Sequence, residues 1–226
     1  MINLEKNNIN LLIDFDSTII QTETIEEIVN IALKKNPDRE HILKKISDLT
    51  NKAMNGEIDF PEALEKRLEL LNSNRKHIKE TTNLLKNKLS LSIKKNEDFI
   101  KSISNRCFII SGGFKEVIYP IVKQFNIKYE NVYANEFIYQ NNNIVSINKT
   151  NELSNNLGKV LIAKNIPGNN IIIGDGYTDY EVKKEKAAIK FIQYAENINR
   201  KKLNKHADII AFNFNEIIDF INNLTL

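Results

Sequence analysis

Tryptophan is absent from the 226 residues, and cysteine, methionine, proline and glycine are scarce at one, two, four and seven copies. A single cysteine excludes an internal disulfide. Cys107 lies inside the apolar run Cys107-Phe108-Ile109-Ile110, the setting of a buried, inert thiol rather than a reactive one. The three histidines, His41, His77 and His206, are scattered without metal-ligand spacing, which argues against a zinc site. No stretch approaches the ~20 apolar residues of a membrane span. The first ten residues hold Glu5, Lys6 and four Asn, and so lack the apolar region of a signal peptide. The expectation is a cytoplasmic protein with no membrane partner. Excess charge of one sign is missing too: 32 Lys and Arg face 29 Asp and Glu, and a dispersed net charge of +3 does not call for nucleic acid.

What is present is ordinary globular material. Hydrophobic residues make up 42% and charged residues 27%, which places the chain with globular proteins rather than disordered or fibrous ones. The length suits one domain carrying a smaller insertion. Asn10-Leu11-Leu12-Ile13 reads as a buried strand running into Asp14 and Asp16. From Ile25 to Leu89 apolar residues recur at helical intervals, as in Ile28, Ala32 and Leu33, then Leu64, Leu68 and Leu71. Pro61 sits where a helix start tolerates it, with Asp59 as a candidate cap.

After residue 90 helices and strands alternate. The pattern predicts a strand at Cys107–Ile110, a helix over Phe114–Phe125, and a strand near Asn131–Ala134. Residues Glu136–Ile147 read as a β-hairpin attached to the main sheet, turning around Gln140–Asn143. A helix from Lys159, a strand at Asn170–Ile173, a helix from Asp179, a strand at Ala188–Ile192 and a helix from Asn215 follow. The fold class is α/β, a doubly wound parallel sheet interrupted early by a helical insertion.

In such sheets ligands bind beyond the carboxyl ends of the strands. The polar clusters that fall there are Asp14-Phe15-Asp16-Ser17-Thr18, Ser111-Gly112-Gly113, Lys159, and Gly174-Asp175-Gly176-Tyr177-Thr178-Asp179. Each alone is commonly a turn or a cap. Together they supply acidic residues, a hydroxyl, glycine N–H groups and a lysine at one sheet edge, the inventory of phosphoryl transfer to a carboxylate with a magnesium ion.

These segments resemble the haloacid dehalogenase-like hydrolases, and within them the phosphoserine phosphatases. Asp14-Phe15-Asp16-Ser17-Thr18 followed by Glu23-Thr24-Ile25-Glu26-Glu27-Ile28 is similar to the first motif of that family. Lys52-Ala53-Met54 through Phe60 to Lys66-Arg67 resembles its cap signature, Ser111-Gly112-Gly113-Phe114 its second motif, and Gly174-Asp175-Gly176 with Thr178-Asp179 its last. The resemblance implies a catalytic core over residues 1–20 and 90–226 and a helical cap over 21–89. It implies Asp14 as nucleophile and Asp16 as the acid and base. Mg²⁺ would be held by Asp14, the backbone carbonyl of Asp16 and Asp175, with Asp179 supporting. Ser111, Gly112 and Lys159 would hold the phosphoryl oxygens, beside Gly113 and Thr178. Many relatives carry lysine where this chain has Leu157, so Lys159 takes the phosphate, with Lys164 the alternative; Thr178 stands where many have Asn. In the cap, Glu23 would meet the amino group and Arg67 the carboxylate of phosphoserine, while Met54 and Phe60 exclude water. The expected partner is a small phosphomonoester, taken by a monomer or homodimer.

A catalytically dead binding module is disfavoured because no expected acidic residue is missing, and two other readings compete. A phosphatase or phosphotransferase of the same fold could act on another small phosphometabolite. A receiver-type signalling domain shares the acidic cluster, but has no use for the helical insertion.

Overall fold

The computed structural model describes residue 4 and residues 8–224; Glu5 and Lys6, on which part of the N-terminal reading rests, lie outside the described residues. Six parallel strands form the main sheet, in the order β3-β2-β1-β6-β7-β8. They are β1 (Ile9–Ile13), β2 (Cys107–Phe114), β3 (Val132–Asn135), β6 (Asn169–Gly174), β7 (Lys190–Tyr194) and β8 (Ile209–Ala211). All five residues of β1 are buried, because a parallel strand is covered on both faces. Its neighbour is β6, with Leu11, Leu12 and Ile13 opposite Ile171, Ile172 and Ile173.

Successive residues of these strands serve opposite faces. Leu12, Ile110, Ile172 and Phe191 pack with Val160 and Ala163 of α8 (Gly158–Lys164) and Val182 of α9 (Tyr177–Lys184). Leu11, Ile13, Ile109, Ile171 and Ile173 face a larger core containing Val117 and Ile121 of α7 (Lys115–Val122) and Ile217 of α10 (Phe214–Asn222). From β1 the chain winds outward one way through β2 and β3, and the other way through β6, β7 and β8. The β1–β6 boundary is therefore the switch point, where the ends of the strands open a crevice.

Between β1 and β2 run the helices α1 (Thr24–Ala32), α2 (Arg39–Met54), α3 (Phe60–Glu69) and α4 (Arg75–Leu85), then the short α5 (Leu91–Lys95) and α6 (Glu97–Ser102). The chain leaves and returns side by side: Ile20 bridges Leu89, Gln21 N–H donates to Lys88 O at 2.9 Å, and Ser90 N–H to Ile19 O at 2.9 Å. Pro61 lies in the first turn of α3, while Asp59 occupies the N-cap position without a capping hydrogen bond from its side chain.

Several elements differ from the sequence expectation. Phe114 ends β2 instead of opening a helix, since β2 shifts register after Ile110 and carries Ser111-Gly112-Gly113 within the strand. β7 lies two residues later than expected because fully buried Tyr194 belongs to it. The hairpin, β4 (Phe137–Gln140) and β5 (Asn143–Ile147), turns on Asn141 and Asn142, both at positive φ, but forms its own two-stranded sheet rather than joining the main one. It docks on the helical segment instead. Ile144 N–H donates to Ser73 O at 2.9 Å, Arg75 N–H to Asn142 O at 3.0 Å, and the Arg75 guanidinium lies 3.6 Å from the Tyr139 ring centre. Among the described residues no helix is long and apolar enough to cross a membrane.

Candidate active site

Asp14 follows β1 directly, and its N–H continues the ladder to Ile173 O at 2.9 Å. This fixes a carboxylate at the switch point. Asp14 Oδ1 accepts from Phe15 N–H at 2.8 Å and lies 2.9 Å from Lys159 Nζ. The same ammonium is 2.7 Å from Asp179 Oδ1, and Asp179 Oδ2 accepts from Gly176 N–H at 3.0 Å. Burial works against the Lys159 charge, but Asp14 and Asp179 outweigh it and raise its pKa, so the side chain stays an ammonium. Lys164, the alternative, is exposed in the last turn of α8 and does not line the cavity described below.

Asp175 follows β6 and receives Arg200 Nε at 2.7 Å. Asp14, Asp175 and Asp179 are all buried, and each offers a carboxylate oxygen within 4.8 Å of the others. Burial pushes Asp175 and Asp179 up to about 7 each, against the pull of Arg200 and Lys159 respectively. Three hard oxygen donors crowded at that cost fit a divalent cation, which would offset their mutual repulsion.

Asp16 lies in the irregular turn Phe15–Ile19, where Ser17 takes the left-handed region at φ 53°. Its Oδ1 accepts from the N–H of Thr24 at 2.9 Å and from the Thr24 hydroxyl. Burial first, and then the Glu23 carboxylate, raise the Asp16 pKa well above the usual carboxylate range. The turn thus places beside Asp14 a carboxyl suited to hold a proton.

Ser111 is buried within β2, its Oγ accepting from Gly113 N–H at 3.0 Å. Gly112 permits a close approach: a Cβ there would stand 2.3 Å from Phe60 Cζ, so the ring of α3 rests directly on the strand backbone. Met54 ends α2 and packs with Ala53, Ala63 and Phe60. Arg67, 4% exposed, donates from Nε to Ala63 O at 3.1 Å and from Nη1 to Thr50 Oγ1 at 3.2 Å, which holds the guanidinium fork. Glu23 Oε1 accepts from the Ser17 hydroxyl at 2.7 Å. The buried Thr178 hydroxyl has no partner.

Apart from the alternative Lys164, every site residue named from the sequence except Asp179 lines one cavity of about 30 Å³; Asp179 lies fully buried under Lys159. Arg200 escaped the sequence reading. It joins Asp175 to Asn51 of α2, through Nη1 at 3.0 Å. It stands in the loop after β7, so the rule that located the other clusters pointed there too, had the residues beyond that strand been included.

The profile of the haloacid dehalogenase-like hydrolases matches residues 11–183. The chain is similar to the human phosphoserine phosphatase, 27% identical over 91% of this chain and 89% of the relative. It is 29% identical to the phosphoserine phosphatase of Methanocaldococcus jannaschii, over 88% of this chain and 92% of the relative. Among solved structures, a phosphoserine phosphohydrolase-like protein from Francisella tularensis superposes with a TM-score of 0.85 at 34% identity, covering 94% of this chain and 99% of that one.

Proposed function

Given that the chain belongs to the haloacid dehalogenase-like hydrolases and is a phosphatase, we propose that it hydrolyses O-phospho-L-serine to L-serine and phosphate through an aspartyl-phosphate on Asp14. One observation carries the reading: a single cavity holds Asp14, Asp16, Ser111 and Lys159 together with Glu23 and Arg67. The first four suit a phosphoryl group; the last two suit the ammonium and carboxylate of an amino acid.

In this reading Asp14 Oδ1 is engaged by Phe15 N–H and Lys159, so Oδ2 is the attacking atom. It bonds to phosphorus while the bond from phosphorus to the serine oxygen breaks, and Asp16 gives that oxygen its proton. Asp16, now a carboxylate, takes a proton from water as the water oxygen attacks the phosphorus, which frees Asp14 and releases phosphate. Lys159 and the Ser111 hydroxyl hold the phosphoryl oxygens. A Mg²⁺ ion, when bound, would be held by Asp14, Asp175 and the backbone carbonyl of Asp16 and would supply positive charge to those oxygens. Asp179 acts indirectly, by fixing Lys159 and the Gly176 turn.

Residues 21–89 are read as a cap over a core of 1–20 and 90–226. A cavity of about 30 Å³ holds one water, so the substrate enters when Met54 and Phe60 lift from the strand ends. The N–H groups left on Arg67 meet the substrate carboxylate, and Glu23 its ammonium. Thr178 offers its hydroxyl to the phosphate.

The deciding experiment is phosphate release from O-phospho-L-serine with Mg²⁺, beside O-phospho-L-threonine, an aryl phosphate and the Asp14→Asn protein. Rapid release from phosphoserine alone, lost in Asp14→Asn, is the expected result. Cleavage of the aryl phosphate alone would retain the catalytic residues and remove the assignment of Glu23 and Arg67. A new phosphoester formed with an added alcohol would make the enzyme a phosphotransferase.

A further inference from the structure

The loop after β7 reaches the place where the chain runs out to the helical segment, near residues 17–21, and back, near 88–90. Asn197 of that loop, half-buried, donates from Nδ2 to Ser17 O at 3.0 Å and to Ser90 Oγ at 2.7 Å, with Ile20 O at 3.4 Å. The buried Ser90 hydroxyl passes its own hydrogen to Thr18 O at 2.6 Å. Carbonyl oxygens can only accept, so this set of partners calls for an amide NH₂ at position 197. Two consecutive carbonyls of the turn Phe15–Ile19 are thereby held from outside the turn, one by Asn197 and one through Ser90.

The turn needs that support. Ser17 stands in the left-handed region at φ 53°, which is unfavourable for a residue with a Cβ. Its N–H donates to Thr22 O at 3.1 Å and Ile20 N–H donates to Phe15 O at 3.1 Å, but neither bond engages the Ser17 or Thr18 carbonyl. Both residues are buried, and a buried carbonyl that loses its donor is costly, so without the Asn197 amide the turn relaxes toward another arrangement. Asp16 would move with it. Its carboxyl is tied to the start of α1 by Thr24, and the peptide that follows it is tied to the core by way of Ser17 and Asn197.

We propose that Asn197 is a positioning residue of the reaction, fixing through Ser17 the turn that aims Asp16 at the leaving oxygen, which rests on Asp16 being the acid of the proposed mechanism. Asn197 does not line the catalytic cavity, so it acts through the turn and not on the substrate. An alkyl leaving oxygen needs a proton as its bond to phosphorus breaks, whereas nitrophenolate departs without one. Misplacing Asp16 therefore penalises alkyl esters selectively, and kcat/KM reads that penalty because it covers the steps up to departure of the leaving group.

The test compares kcat/KM for O-phospho-L-serine and 4-nitrophenyl phosphate in Asn197→Ala and in Asn197→Asp, which keeps the shape and replaces the donor by an acceptor. Both variants should lose at least tenfold on phosphoserine and stay within threefold on the nitrophenyl ester. Amide hydrogen exchange in residues 15–21 of Asn197→Asp should quicken at least tenfold, with β6 and β7 unchanged as the check on the fold. Equal losses on the two esters would make Asn197 a residue of general structure and overturn the proposal. So would full activity of Asn197→Asp, which would mean that its volume alone matters. Unchanged exchange over residues 15–21 overturns it whichever ester the protein cleaves. If the unmodified protein spares phosphoserine, the substrate reading falls instead, and the same comparison is made with an alkyl phosphate that it does cleave.

Discussion

Removing the Lys159 ammonium would leave Asp14 and Asp179 facing each other across the space it fills, 2.9 Å from one and 2.7 Å from the other. Breaking a buried ion pair at one partner typically costs about 3–5 kcal/mol, because the remaining charge is neither solvated nor paired. Lys159→Met should therefore lose about that much stability in a urea titration, as well as most of its phosphate release. Asp179→Asn, which keeps the shape and one acceptor oxygen, should lose less. At the opposite extreme, burial pushes the Cys107 thiol up to about 12, so at pH 8 only about one molecule in ten thousand carries the reactive thiolate. Native protein is expected to resist iodoacetamide for hours and urea-unfolded protein to react at once, as read by mass. Residues of the first kind were legible in the sequence. Asp14, Ser111 and Asp175 follow buried apolar runs and Lys159 stands in the first turn of α8, and chemistry at strand ends and helix starts follows from topology. The same rule reaches the loop of Arg200 but not its role, because its partners Asp175 and Asn51 stand 25 and 149 positions away in sequence.

At the scale of elements, the seam between the helical segment and the strand ends rests on glycines. A Cβ on Gly112 would meet Phe60 Cζ at 2.3 Å, and one on Gly56 would meet the Tyr177 ring at 2.8 Å from a backbone at φ +70°. Gly112→Ala should hold Phe60 off the strand without unfolding the sheet. The expected outcome is a loss of one to two orders of magnitude in kcat/KM, about 1.4–2.8 kcal/mol of transition-state stabilisation. Adding Phe60→Leu should restore part of it, and failure of the double variant to recover would mean that Gly112 acts through its own N–H instead. The same elements show where sequence patterns run out. Helical periodicity located the insertion, since apolar spacing is a local property. β8 was missed because three residues carry too little pattern, and the hairpin was given the wrong sheet because its docking on Ser73 and Arg75 is a long-range contact. The Ser111-Gly112-Gly113 segment is extended although its composition suits a turn, as β3 holds it in the sheet through Phe114 and Asn135.

Across the whole molecule, the two carboxylates that would directly hold the cation follow β1 and β6, and Asp179, which fixes Lys159 beside them, comes from α9, so ion binding couples elements that meet only in the folded chain. A ligand that binds the folded state alone stabilises it by mass action. With Asp175 and Asp179 each pushed up to about 7 by burial, part of their population is protonated in neutral and mildly acidic solution, and those protons must leave before Asp175 can ligate and Asp179 can pair fully with Lys159. A carboxyl whose folded pKa is raised contributes stability below its unfolded value, near pH 4, and loses that contribution as pH rises through 7. The metal-free protein therefore gives up stability at these positions over that window, where the cation gains affinity. The rise in Tm on adding 5 mM Mg²⁺ should accordingly be larger at pH 8 than at pH 6. In Asp175→Asn, which removes one donor and one of the two titrations, the rise should shrink and lose most of its pH dependence. Equal rises at both pH values in the unmodified protein would show that these carboxylates do not lose protons when the ion binds, and would move the cation away from Asp175.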